Sequence, residues 1–171
     1  MSFKTWVRGI VTLSLAAPLA VVLSPASPAS AHGWITSPPS RQDMCAKRLV
    51  GGCGGVEYEP QSVEAPKGSH LCSGGGGFRV LDNDSKNWPV NSVSSDVTFQ
   101  WRLTAPHRTS TWEYYVDGEL FRTFSQNNSQ PPSNISHQLS GLPGGRHKIL
   151  AVWNIADTAN AFYNCVDVEV G

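Results

Sequence analysis

The chain has 171 residues, with 13 basic and 13 acidic side chains and a formal net charge of zero. That balance carries none of the basic excess that binds nucleic acid or an anionic membrane surface, so we expect neither as a partner. The length suits one compact domain that can bury a real core.

The first 31 residues have the features of a secretory signal peptide. Lys4 and Arg8 give a positive start, an apolar run follows, and small residues lead to Ala29-Ser30-Ala31, an A-x-A cleavage site. The apolar run is short for a bilayer, which argues against a transmembrane anchor. We therefore predict a secreted, extracellular protein whose mature form, residues 32–171, is a single domain that begins with histidine.

The four cysteines of an exported chain predict two disulfides, for which three pairings are possible. Cys45 and Cys53 flank a short glycine-containing loop, which favours a local bridge and leaves Cys72 to pair with Cys165. Metal binding by these cysteines is the alternative. The absence of any C-x-x-C pair and an oxidising compartment favour disulfides instead.

The segment from Ser37 to Val93 is rich in Gly, Pro, Ser and Asn and shows little hydrophobic periodicity. We expect one long excursion pinned by disulfides, with a short helical turn around Ser40 to Arg48. Its four glycines, Gly74 to Gly77, lack the Gly-Lys-Ser/Thr of a phosphate loop and predict a flexible turn. Excursions of this length are usually functional, so we expect recognition here.

From Val97 onward, apolar and polar side chains alternate with a period of two, which predicts half-buried strands. Asp117-Gly118 tolerates the positive φ angles of a type I′ turn and predicts a hairpin. The predicted strands are 97–104, 111–116, 119–124, 136–139, 146–155 and 161–170. Short strands separated by turn signals predict an all-β fold, a β-sandwich.

A histidine at a free N-terminus chelates metal through its α-amine and its Nδ1. One more imidazole on the same face would give three nitrogens in a T, a geometry suited to Cu(II) and also able to hold Cu(I). His107 is the strongest candidate because it follows Pro106 at the end of a predicted strand, where the chain turns at the rim of the sandwich. We expect solvated or hydrogen-bonded surface positions for His70, His137 and His147.

Four segments together resemble those of the bacterial lytic polysaccharide monooxygenases, and more narrowly the chitin-active members of auxiliary activity family ten. They are the opening His32-Gly33-Trp34, the segment Val56–Glu64 with Tyr58-Glu59-Pro60-Gln61-Ser62-Val63-Glu64, the segment Leu103–His107, and Ala151–Tyr163. The resemblance runs over essentially the whole chain after the predicted cleavage site. It implies an immunoglobulin- or fibronectin-III-like β-sandwich, with the long excursion building much of the binding face.

The resemblance also implies a histidine brace in which His32 and His107 hold one copper ion, the cofactor. Phe162 matches the aromatic residue at the axial position, and Ala105 matches the small residue that shapes access to the other axial position. Glu64 matches an acid that helps to position bound oxygen species.

Four further residues match the flat substrate-binding face of the family: Tyr58, Glu59, Asp157 and Asn160. Trp112 and Trp153 match tryptophans near the copper, although core packing accounts for them at least as well. The implied partners are a crystalline chitin surface and an external electron donor, with the protein acting as a monomer.

The implied reaction is oxidative cleavage of insoluble chitin, with O₂ or hydrogen peroxide as co-substrate. Hydroxylation at C1 of a sugar breaks the glycosidic bond and leaves an aldonic acid. This reaction needs no carboxylate pair at hydrolase separation, and a hydrolytic pair of Glu59 and Glu64 is disfavoured. A carbohydrate-binding protein without catalysis, a copper carrier and a cellulose-active enzyme remain as alternatives.

Overall fold

The computed structural model of the chain describes Met1 and residues 31–171. The predicted signal peptide therefore lies almost entirely outside the described residues. Within the described part of the chain, no helix has both the length and the apolar character needed to cross a membrane.

Nine strands form the described fold. They are β1 (His32–Ser37), β2 (Glu64–Pro66), β3 (Asn91–Val93), β4 (Val97–Ala105), β5 (Thr109–Val116), β6 (Glu119–Ser129), β7 (Asn134–Leu139), β8 (Gly145–Ile155) and β9 (Asn160–Val170). One helix, α1 (Arg41–Ala46), and three short 3₁₀ helices, Gly54–Glu57, Pro60–Ser62 and Arg79–Asp82, lie between β1 and β3.

Two sheets make the sandwich. The smaller sheet has the order β1-β4-β7, and the larger has the order β2-β9-β8-β5-β6, with β3 added parallel to β9. This confirms the predicted all-β fold, a β-sandwich of the immunoglobulin type. The six strands predicted from alternation are all present, and β6 extends five residues beyond its predicted end.

Aromatic side chains from both sheets fill the core. The alternation of β4 buries Phe99, Trp101 and Leu103 as predicted. Trp101 meets Trp112 of the larger sheet edge-on at 4.9 Å, and Trp112 stacks on Trp153 at 5.1 Å. Truncating any of these fully buried rings to alanine would cost about 3–5 kcal/mol.

The hairpin between β5 and β6 turns at Asp117 and Gly118, whose φ angles of 49° and 95° confirm the predicted type I′ turn. The predicted helical turn in the excursion is also confirmed. It is α1, whose N-cap Ser40 accepts a hydrogen bond from the backbone of Asp43.

Both predicted disulfides are present and pin the excursion, joining Cys45 to Cys53 and Cys72 to Cys165. The glycine run beside Cys72 is not simply a flexible turn. Gly74 has a φ of 67°, and a Cβ at this position would lie 2.4 Å from the ring of Tyr163. Close packing therefore requires glycine here.

His137 corrects one expectation, because it is buried in the core and not on the surface. Its ring stacks on Phe124 at 4.4 Å, and Tyr114 donates a hydrogen bond of 2.8 Å to its Nδ1 when that nitrogen is the acceptor. Burial favours the neutral imidazole and lowers the pKa of His137 to about 4.

Candidate metal centre and substrate face

The candidate site lies at one end of the sandwich, where several strands begin or end. His32, the first residue of β1, pairs with Ala105, the last residue of β4. The chain then turns at Pro106, so His107 follows only two residues after the partner of His32. Backbone register therefore brings the two predicted ligands to the same end of the fold.

Phe162 lies beneath this end and is fully buried. Its ring centroid is 6.3 Å from that of His32, with the planes tilted by 59°. On its other side Phe162 packs against Trp153 at 5.0 Å. The core therefore fixes the position of the Phe162 ring, and the ring lies close to His32, as its predicted role requires.

One row of paired residues crosses the larger sheet and connects this end to the core. In order across the strands it contains Glu64, Phe162, Trp153, Trp112 and Phe124. Directly paired residues share one face of a sheet. The two tryptophans of the row are both fully buried, so they pack the core.

Glu64 is positioned by Asn160. The side-chain nitrogen of Asn160 donates a hydrogen bond of 2.8 Å to Glu64 Oε1. The nearby Lys67 donates instead to the carbonyl of Thr158 at 2.8 Å. Asn160 was predicted as a substrate contact, and its bond to Glu64 gives it a positioning role as well.

His107 and Asp157 form the other close contact of the site, with 2.7 Å between Nε2 and Oδ1. This hydrogen bond from His107 lowers the pKa of Asp157, and the positive charge of Arg108 adds to the effect. A carboxylate accepts, so Nε2 carries the proton in this contact. Metal binding through Nε2 therefore requires Asp157 to give up the bond.

Tyr58 is the exposed aromatic residue of the predicted substrate face. It follows the 3₁₀ helix Gly54–Glu57, and 78% of its surface is accessible. The helix is held in place by Glu57, whose carboxylate accepts from the backbone of Cys53 at 2.9 Å. Glu59 beside it is also exposed. The ring of Tyr58 is thus free to stack on a ligand.

The donor set at this end fits copper. Imidazole and amine nitrogens are ligands that copper prefers, and the other three histidines lie elsewhere in the described fold. His70 packs against Tyr115, His137 is in the core, and His147 contacts Asp117. Residues 31–171 contain no group of three or more His, Cys, Asp or Glu side chains that would hold a metal. The third nitrogen predicted from the sequence is the backbone nitrogen of His32, which is an amide while Ala31 is attached and would be an amine in a chain that begins at His32.

Comparison with known proteins decides the family. Residues 32–168 match the family model described as lytic polysaccharide mono-oxygenase, cellulose-degrading. The chain belongs to the lytic polysaccharide monooxygenase family. It is accordingly a monooxygenase, and the matched range covers every predicted site residue.

Relatives within the lytic polysaccharide monooxygenases are close. A lytic chitin monooxygenase of Streptomyces ambofaciens is 54% identical over 157 residues, which are 91% of each chain. A neutron structure of a Jonesia denitrificans lytic polysaccharide monooxygenase is 56% identical, with a TM-score of 0.81, and spans 82% of this chain and all of that one. A structure of Bacillus amyloliquefaciens CBM33 in complex with Cu(I) is 34% identical, with a TM-score of 0.72, over 82% of this chain and all of that one.

Sequence reasoning missed the partners of the site residues in this lytic polysaccharide monooxygenase. The contacts Glu64–Asn160 and His107–Asp157 join residues 96 and 50 positions apart. It also gave no role to Arg108, which directly follows the second histidine. A cationic residue directly after the second histidine could have predicted a carboxylate near that histidine, and Asp157 is that carboxylate.

Proposed function

We propose that this chain is a secreted, copper-dependent monooxygenase that cleaves insoluble chitin by hydroxylating C1 of a sugar. The observation that carries the proposal is that β-sheet register brings His32 and His107 to one end of the sandwich, where Phe162 lies near the ring of His32 and is itself paired with Glu64. The Cu(I) bound by the Bacillus relative supports the choice of metal.

In this proposal, one copper ion would be held by the imidazoles of His32 and His107 and by the α-amine of His32 in a chain that begins there. When bound, copper supplies the one-electron chemistry with O₂ or hydrogen peroxide that allows a sugar C–H bond to be oxidised. The buried ring of Phe162 forms the apolar wall of the site on the core side, and it has no atom that could bind the metal. Ala105, half-buried at the end of β4, leaves space beside the histidines because its side chain is a single methyl group.

Glu64 acts through hydrogen bonding. Its Oε1 is held by Asn160, so the carboxylate is oriented before the substrate arrives. In this place the Glu64 carboxylate can accept a proton from hydrogen peroxide, and its protonated form can give that proton back. A glycoside hydrolase needs two carboxylates at a set separation, one of them to activate water or attack the sugar. Glu64 and Glu59 need not form such a pair, because the sugar is oxidised and not hydrolysed.

Chitin is the proposed substrate on two grounds. The Streptomyces relative is named a lytic chitin monooxygenase, and the segment Tyr58–Glu64 resembles the chitin-active pattern. An exposed ring at Tyr58, with the polar side chains Glu59, Asp157 and Asn160, suits a flat crystalline surface, where stacking and hydrogen bonds replace a pocket. We propose a monomer that receives electrons from an external donor.

The test is mass spectrometry of the soluble products released from β-chitin and from cellulose. The protein would begin at His32 and be supplied with copper and ascorbate. We expect chito-oligosaccharides with aldonic acid ends. Oxidised products from cellulose but not from chitin would show that cellulose, which the family description names, is the substrate. Adsorption to chitin without oxidised products would indicate a carbohydrate-binding protein.

A further inference from the structure

A double bulge lies directly beside the second histidine. Thr109 and Thr111 of β5 pair with Ser129 and Ser125 of β6, so residues 126–128 face Ser110 alone. The pairing of β5 with β8 is shifted at the same place. Bulges next to active sites commonly change the direction of side chains.

Two consecutive residues of this bulge have left-handed backbones. The φ angles of Asn127 and Asn128 are 52° and 56°, in a region that residues other than glycine seldom occupy. Such conformations persist where the surroundings hold them, and they cluster at functional sites.

Several hydrogen bonds hold the bulge in place, two of them from Arg108 and Trp112 of β5 and its preceding turn and the others among residues 125–129. Arg108 Nε donates to the carbonyl of Asn128 at 3.0 Å, and the buried Trp112 donates to Gln126 Oε1 at 3.4 Å. The hydroxyl of Ser125 donates to Asn127 Oδ1 at 3.0 Å. The side chain of Asn127 is therefore used within the bulge.

Asn128 and Arg108 retain unused polar groups. Both residues are exposed, and the side-chain amide of Asn128 makes no hydrogen bond to any residue from 31 to 171. The guanidinium of Arg108 uses only its Nε in this way. Arg108 directly follows His107 in the chain, and its Nε bond to the backbone of Asn128 brings that residue to the same region.

Sheet order places this pair on the far side of the site from Glu64. Strands β2 and β6 are the opposite edges of the larger sheet, with β9, β8 and β5 between them. At the usual spacing of strands, the two edges are about 19 Å apart. His107, which precedes β5, lies between them.

We propose that Arg108 and Asn128 form a second arm of the substrate-binding face. Their free N–H and C=O groups bind the hydroxyl and acetamido groups of a chitin chain that extends past His107, away from Glu64. These two residues therefore determine how many sugar units of the chitin chain are bound on that side of the proposed copper site. This inference rests on the proposed function and adds two substrate contacts to it.

The decisive variant is Asn128→Gly, because glycine accepts the left-handed backbone and removes only the side-chain amide. Its matched control is Asn127→Gly, which makes the same backbone change one residue away. Protein starting at His32 and loaded with copper would be measured by adsorption isotherms on β-chitin. We expect Asn128→Gly to weaken adsorption about three- to tenfold, the loss of a hydrogen bond, and Asn127→Gly to leave it nearly unchanged.

A second variant, Arg108→Gln, should also weaken adsorption. Calorimetric copper affinity and the melting temperature of Asn128→Gly should match those of the parent, because the residue touches neither the predicted ligands nor the core. Equal losses in both glycine variants would assign the effect to the shape of the bulge and overturn the inference. Unchanged adsorption of Asn128→Gly would also overturn it, with the proposed function intact. A parent protein that does not adsorb to chitin would overturn both.

Discussion

Asn160 and Glu64 are joined across two neighbouring strands by a hydrogen bond of 2.8 Å that engages one oxygen of the carboxylate. Glu64 is paired in register with Phe162, whereas Asn160 is paired with Pro66, so the bond runs diagonally along the β2–β9 ladder. This hydrogen bond orients the Glu64 carboxylate next to the buried Phe162 ring. An oriented carboxylate suits the proton-transfer role proposed for Glu64.

Glu64→Gln should separate this role from folding and binding. The glutamine carbonyl still accepts from Asn160, so we expect a folded protein that binds Cu(II) and adsorbs to chitin nearly as well as the parent. Production of aldonic acids should fall by about 10–100-fold, as is typical when groups around a metal site are changed. Quantitative mass spectrometry of the products measures the loss, and His107→Ala, which should lose copper itself, is the contrast. An unchanged rate would make Glu64 a structural residue of β2.

A chain that retains Ala31 before His32 should bind copper far more weakly. The extension converts the amine into an amide, which removes one of the three proposed nitrogen ligands, and we expect a loss of orders of magnitude in affinity. Calorimetric titration of processed and extended protein with Cu(II) compares them directly. Equal affinities would rule out a brace that includes the N-terminus.

Tyr58→Ala should weaken adsorption to chitin by about two- to tenfold, because stacking of one aromatic ring contributes roughly 0.5–1.5 kcal/mol. The side chain is 78% exposed, so copper affinity and melting temperature should not change. Leu120→Ala is a matched control, because Leu120 is also an exposed apolar side chain. It lies at the start of β6, next to the β5–β6 turn, whereas the end of β6 near Ser129 is the one close to His107. Similar losses in both variants would point to nonspecific adsorption.

His137 should make the protein less stable in acid. Its pKa is lowered to about 4 by burial, so between pH 4 and about 6.5 the unfolded chain binds a proton that the folded chain does not. The free energy of unfolding is therefore unaffected by His137 above about pH 6.5. It decreases as the pH falls toward 4, by at most about 3 kcal/mol. Urea unfolding at several pH values measures it. His137→Gln, which keeps an acceptor for Tyr114, should flatten the slope, and an unchanged slope would assign it to other groups.

The two disulfides should contribute unequally to stability. Cys72 and Cys165 are 93 residues apart and Cys45 and Cys53 only 8. In the chain-entropy model, removing the long-range bridge costs about 4.7 kcal/mol and removing the short one roughly 2.5 kcal/mol. The free energies of unfolding in denaturant of the two variants, one with both Cys45 and Cys53 changed to alanine and one with both Cys72 and Cys165 changed to alanine, measure the two contributions. A larger loss from the short bridge would show that local strain or packing dominates.

Much of the fold was predictable because one-sided burial imposes a period of two on a strand. This holds for β4, where Phe99, Trp101 and Leu103 all face the core. Strands β1, β2 and β3 were missed for a physical reason. β2 and β3 have three residues each, too few to show a period, and β1 depends on Gly33 packing against Leu103, where a Cβ would lie 2.5 Å from the leucine side chain.

The amino-acid sequence by itself determined which groups are available: a histidine after a predicted cleavage site, a second histidine at a strand end, an acid and an aromatic residue in recognisable segments, and four cysteines. The tertiary structure alone decided which of these groups meet. The bond of Glu64 to Asn160, the contact of His107 with Asp157 and the burial of His137 all depend on register between strands far apart in the chain. Register is set by the packing of the whole sandwich, and local patterns carry little information about it.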